Sequence, residues 1–237
     1  MAFIQSGDFK ISGGDLSPVY LLAGNETYFI DKFLQEITAA VGADELNKEI
    51  FYLADSAASE ILNALETLPF LSQKRLIIVK NMDEINSELE EENFEGLSNY
   101  VKNPNAASVL VLLCPNCKIV GKHPNKYPTP PKSALKEIFS ACSKSKSSQA
   151  VNCMKLYENQ VGAFIKNEFA KRKQSVSLEA VEMIKEENGQ DLLQIANEIE
   201  KISLFAASKK NITNEDIEAI GGYTKEINAY TLASEIE

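Results

Sequence analysis

With 237 residues, 44% of them hydrophobic and 24% charged, the chain is long enough for one large domain or two modest ones with a sizeable core. Its formal charge of −10 argues against autonomous binding to a nucleic-acid backbone, and no run of 18 apolar residues is available to cross a membrane as a helix. The segment Met1–Asp8 lacks the basic patch and apolar stretch of a secretory signal, so Cys114, Cys117, Cys142 and Cys153 are expected as reduced thiols in a cytoplasm.

Pro18 to Gly24 is a short apolar run ended by glycine, which predicts a buried strand. Asn25 is a candidate cap for the next helix, where Phe29, Ile30, Phe33, Leu34, Ile37, Ala40 and Val41 recur at helical spacing and Gly42 supplies a stop. Ile50 to Leu53 predicts a second strand. Ile61, Leu62, Leu65 and Leu68 predict a second helix stopped by Pro69, and Arg75 to Lys80 a third strand. Asp83 to Glu95 is an acidic run that suits a solvated loop or a helix start. Phe94, Leu97 and Val101 predict a helix that ends at Asn103-Pro104. Ser108 to Cys114 is the most apolar strand of all. Lys118 to Lys132 carries four prolines and four lysines and reads as an irregular excursion. A helix over Ala134 to Cys142 and a fifth strand over Gln149 to Cys153 complete an alternation of strand and helix, the pattern of a parallel sheet covered on both faces.

Near residue 154 the pattern changes and every signal becomes helical. Val161, Phe164, Ile165 and Phe169 form one apolar stripe, and Lys171-Arg172-Lys173 closes that helix as a solvated basic end. Ser177 caps a helix carrying Leu178, Val181 and Ile184 on one face and stopping at Gly189. Asp191 with Gln194 resembles a capping box ahead of Leu192, Ile195, Ile199 and Ile202. Thr213 caps a fourth helix that ends at Gly221-Gly222. Ile227 to Glu237 reads as helical without a terminating signal, which predicts continuation in a longer protein.

Nucleotide-binding α/β domains place their phosphate loop after the first strand, with close glycines and a lysine to meet the charge. Here Leu21-Leu22-Ala23-Gly24-Asn25-Glu26-Thr27-Tyr28 offers one glycine, no lysine, and a Glu26 that repels phosphate. Asp83-Glu84 resembles the acidic pair that holds magnesium in ATPases, yet it has no phosphate loop to act with. Cys114-Pro115-Asn116-Cys117 is a lone cysteine pair; a structural zinc needs a second pair, so none is expected. His123, the one histidine, falls in the proline-rich loop and reads as an exposed loop residue. No nucleophile–base constellation is present, so no catalytic residue, cofactor site or metal site is assigned. Thr67 to Arg75 sets Leu68, Phe70 and Leu71 beside Pro69, between a helix and a buried strand. These side chains either point outward as a binding tip or cover the edge of the core, and the residues alone leave both open.

Several segments together resemble the delta subunit of the bacterial DNA polymerase III clamp loader. They are Pro18 to Ile30, Leu68 to Val79, Asn103-Pro104 with Ser108 to Leu112, Glu187 to Leu192, Asn197 to Lys201, and Ile212 to Ile217. The resemblance implies an AAA+ ATPase-like parallel sheet with flanking helices over 1–154, a small all-helical lid over 155–224, and the start of a helical collar over 225–237. It implies a clamp-binding turn at Leu68, Pro69, Phe70 and Leu71, although the turn reads Pro69-Phe70-Leu71 where the family commonly has a leucine–phenylalanine pair. It further implies a non-hydrolysing, cytoplasmic subunit of a DNA-directed DNA polymerase holoenzyme. Its expected partners are the sliding clamp and the other clamp-loader subunits, with DNA contacted only through the assembled complex and no membrane association.

Overall fold

A computed structural model describes residues 3–11, 16–84, 94–120 and 127–220. The acidic stretch 85–93, the loop holding His123, Gly221-Gly222 and the expected helix Ile227 to Glu237 lie outside the described residues. The chain divides into two units, Met1–Lys155 and Leu156–Glu237.

In chain order the first unit contains β1 (Ile4–Gln5), β2 (Val19–Ala23), α1 (Thr27–Val41), β3 (Lys48–Tyr52), α2 (Ala58–Glu66), β4 (Arg75–Lys80), α3 (Phe94–Lys102), β5 (Ser108–Cys114), β6 (Lys118–Val120), β7 (Tyr127–Thr129), α4 (Lys136–Lys144) and β8 (Ser148–Asn152). Six strands form one sheet in the order β1-β8-β2-β5-β4-β3, and every pairing is parallel. β2 and β5 are buried along their whole length, because a parallel strand between two helical layers has no polar face.

Strand alternation sorts the side chains between two faces. Val19, Leu21, Ala23, Ile77, Val79, Leu110, Leu112 and Cys114 share one cluster with Ile61 and Leu65 of α2, Leu97 and Val101 of α3, and Ile138 and Phe139 of α4. The intervening Tyr20, Leu22, Leu76 and Ile78 are also buried, and α1 packs against β2, β4 and β5 with Phe29, Ile30, Phe33 and Ile37 inward. Phe9 closes that second layer, its ring 4.6 Å from Phe33 and edge-on to Tyr20 at 6.2 Å. Each fully buried leucine or isoleucine here stabilises the fold by roughly 1.5–3 kcal/mol. The α/β fold with its parallel sheet, expected from the alternation, is the fold observed.

Several local expectations need correction. The cap of α1 is Glu26, whose Oε1 accepts from the Tyr28 N–H, while the Asn25 side chain accepts instead from the Lys155 N–H. α2 ends at Glu66, so Leu68 lies beyond the helix and is exposed rather than part of its apolar stripe. The stretch read as irregular contains an antiparallel pair, β6 with β7, in which Pro128 faces Ile119. Proline is tolerated there because each strand of a two-stranded ribbon has a free edge that demands no N–H. β1 escapes a sequence reading because two residues carry no periodicity.

The second unit holds α5 (Glu158–Lys171), β9 (Ser175–Val176), α6 (Leu178–Asn188), α7 (Leu192–Phe205), β10 (Asn211–Ile212) and a helical stretch over residues 214–220. It is not purely helical, since β9 and β10 pair in parallel. Val161, Phe164, Ile165 and Phe169 of α5 are buried with Val181 and Ile184 of α6 and Ile195, Ile199 and Ile202 of α7. Leu178 is exposed, and Ala180 takes the inward position expected of it. Asp191 caps α7, accepting from the Leu193 and Gln194 N–H groups while Gln194 Nε2 donates back at 3.0 Å. The basic end of α5 does more than face solvent. Lys171 and Arg172 both reach Glu168, a buried carboxylate, at 2.7 and 3.4 Å.

Candidate functional site

The segment between α2 and β4 departs from the core. α2 closes with the Thr67 N–H and hydroxyl both donating to the Asn63 carbonyl. The chain then projects Leu68, Phe70 and Leu71 into solvent at 74%, 60% and 92% exposure, with Pro69 half-buried between them. Leu71 adopts a left-handed φ of 54°, a conformation that costs a non-glycine residue about 1 kcal/mol. Three large apolar side chains thus stand outward on a strained turn, and none of them covers the core.

The turn is held by polar groups. Asn47, fully buried, donates from Nδ2 to the Phe70 carbonyl at 2.7 Å and accepts the Phe70 N–H on Oδ1 at 2.6 Å. Asp44 aims that amide, accepting from the Asn47 Nδ2 at 2.7 Å and from its backbone N–H at 3.0 Å. Lys74 Nζ fixes the far side by donating to the Ala106 carbonyl at 2.8 Å. Arg75 then enters β4 paired with Glu49. Sequence reasoning missed Asn47 and its exposed neighbour Leu46. An Asp–x–x–Asn spacing signals a local turn, but nothing in it points to a partner 23 residues away.

The position of a phosphate loop, between β2 and α1, is occupied by the protein's own groups. The Gly24 N–H donates to the Cys114 carbonyl at 3.1 Å, the Glu26 N–H to the Cys153 carbonyl at 2.8 Å, and the Tyr28 N–H to the Glu26 carboxylate at 3.3 Å. These are the amides that would have to face a phosphate. Gly24 has φ 146°, and a Cβ on it would meet the Cys153 backbone at 2.1 Å, so the 153–154 segment lies directly against the loop. The Glu26 side chain is buried at the start of α1, where it takes the place an anion would have. Asp83 and Glu84, the pair that resembles a magnesium site, are engaged by Asn116 Nδ2 at 2.6 Å and Asn81 Nδ2 at 3.0 Å.

All four cysteines are free thiols. Cys117 donates to the Cys114 carbonyl at 3.1 Å, and that neighbouring thiol together with burial holds the Cys114 thiol far above its ordinary range. Burial pushes the Cys142 thiol up to about 12 and raises that of Cys153 as well. Neutral buried thiols are poor nucleophiles and poor metal ligands. Among the described residues no group of three or more histidine, cysteine or acidic side chains is disposed to hold a metal; His123 lies outside them. No described helix is long and apolar enough to cross a membrane.

A family model described as DNA polymerase III, delta subunit, matches residues 20–123. DNA polymerase III subunit delta of Bacillus subtilis is 27% identical over 235 residues, covering 96% of this chain and 63% of that protein. The solved structure of the Bacillus subtilis DNA clamp loader delta protein superposes with a TM-score of 0.71 at 26% identity, covering 87% of this chain and 58% of that one. The chain therefore spans a little under two thirds of the length of these relatives.

Proposed function

We propose, from the kinship of this chain with the DNA polymerase III delta subunits of the clamp loader, that it grips the sliding clamp through the 68–71 turn and helps to open it without hydrolysing nucleotide. The observation that carries this reading is the outward presentation of Leu68, Phe70 and Leu71 on an anchored turn. Burying a phenylalanine and a leucine in a partner's pocket supplies roughly 1.5–3 kcal/mol each before ordering costs. Pro69 and the left-handed Leu71 leave the turn few alternative conformations, so docking orders little that is not already ordered. Opening a ring then needs no chemistry. A subunit that binds the open clamp more tightly than the closed one shifts the ring toward opening by that difference in affinity.

The self-occupied loop at Gly24 to Tyr28 supports a subunit that leaves nucleotide hydrolysis to others. With a net charge of −10, contact with DNA is expected only through an assembly that includes the other clamp-loader subunits. A titration of the sliding clamp from the same organism tests the reading. The chain should bind, and Phe70→Ala with Leu71→Ala should lower affinity by about a hundredfold with an unchanged circular dichroism spectrum and melting temperature. A folded double variant that binds as tightly as the parent places the contact elsewhere.

A further inference from the structure

We propose that Asn47 is a positioning residue for the clamp contact, holding the Phe70 backbone so that the apolar tip is presented already shaped. The inference rests on the clamp-binding reading above. An ordinary turn side chain is fixed by packing, but Leu68, Phe70 and Leu71 have more than half their surface in solvent, so packing does not hold them. Both hydrogen bonds of the Phe70 backbone go instead to one side chain, the Asn47 amide, through its Nδ2 and its Oδ1. That two-point grip reproduces the exchange of N–H and C=O between paired strands, and it fixes the plane of the peptide groups on either side of Phe70.

The grip is itself oriented. Asp44 Oδ1 accepts from Nδ2 and from the backbone N–H of Asn47, which fixes which end of the amide faces which Phe70 atom. Every hydrogen-bonding site of the Asn47 amide except one oxygen lone pair is then used, as a side chain with no exposed surface requires. Flanked by the fixed φ of Pro69 and the left-handed φ of Leu71, Phe70 is left with little freedom. Asn47 touches no partner in this arrangement; it acts through Phe70.

The test measures amide hydrogen exchange and clamp binding on the intact protein. Asn47→Ala should speed exchange of the Phe70 amide roughly tenfold, the loss expected for one buried hydrogen bond and its partner, while amides of β5 keep their rates. Clamp affinity should fall by a similar factor, and that loss should vanish when Asn47→Ala is added to Phe70→Ala. Asp44→Ala, at an exposed position, should shift both readouts the same way by less, and it serves if Asn47→Ala fails to fold. Unchanged exchange at Phe70 overturns the proposal. So does acceleration shared equally by β5, or an affinity loss that persists in full in the Phe70→Ala background. If Phe70→Ala with Leu71→Ala leaves clamp binding intact, the functional reading fails on its own, and the exchange rates still decide what Asn47 does to the turn.

Discussion

Two residues carry opposite lessons about local backbone. Leu71 is a large apolar residue in a conformation suited to glycine, and it is 92% exposed, so its side chain contributes little to folding. Replacing it by glycine relieves about 1 kcal/mol of left-handed strain and loses a similar amount to the freer unfolded chain. Leu71→Gly should therefore leave the melting temperature nearly unchanged while weakening clamp binding, a dissociation that scanning calorimetry beside a binding titration reads directly. Gly24 is the reverse case. Its φ of 146° and the Cys153 backbone 2.1 Å from any Cβ leave no room for a side chain. Gly24→Ala should destabilise the protein by about 3 kcal/mol or more, measured as a shift in the denaturant midpoint at constant slope.

At the level of elements, helix ends decide more than helix interiors. α1 begins with a buried carboxylate that accepts from the Tyr28 N–H, at the helix end where an anion would otherwise be favoured. In the first turn of the stretch 214–220 sits Asp216, which the Lys209 ammonium and the Thr213 N–H hold below the ordinary value of 3.8. A depressed carboxylate pKa contributes stability that is present above the unfolded value and lost as pH falls through the folded one. Asp216→Asn should therefore cost about 1 kcal/mol at neutral pH, a modest figure because Lys209 is largely solvated, and the gap to the parent should close below about pH 3.8. Urea midpoints of the two proteins across that range check the sign.

For the molecule as a whole, the first unit is a parallel sheet with flanking helices in which the loop after β2, where nucleotide-binding α/β domains hold phosphate, is filled from within. The amides of Gly24, Glu26 and Tyr28 are committed to Cys114, Cys153 and Glu26, and no lysine stands nearby in the loop sequence. Nucleotide binding would require breaking these bonds and displacing a buried carboxylate, each at a cost of one or more kcal/mol. Calorimetric titration with ATP and magnesium should show no binding at micromolar concentration, and tight binding would overturn this expectation.

The layered α/β fold was legible from the residues because strands buried on both faces, such as Ser108 to Cys114, must be apolar throughout, and amphipathic helices such as α5 must repeat at 3.6. The N-cap at Asp191 and the stop at Gly42 were legible for the same reason: their partners lie within one turn. The resemblance at 68–79 marked the turn, yet the residues alone left Leu68, Phe70 and Leu71 equally suited to core or surface, since both environments accept the same side chains. Tertiary structure decided that they face solvent, that Asn47 reaches across 23 residues to hold them, and that Asn25 reaches across 130 to tie the first loop to Lys155. Those facts depend on which distant backbone comes to lie alongside, and sequence periodicity encodes only what a residue's own element does with it.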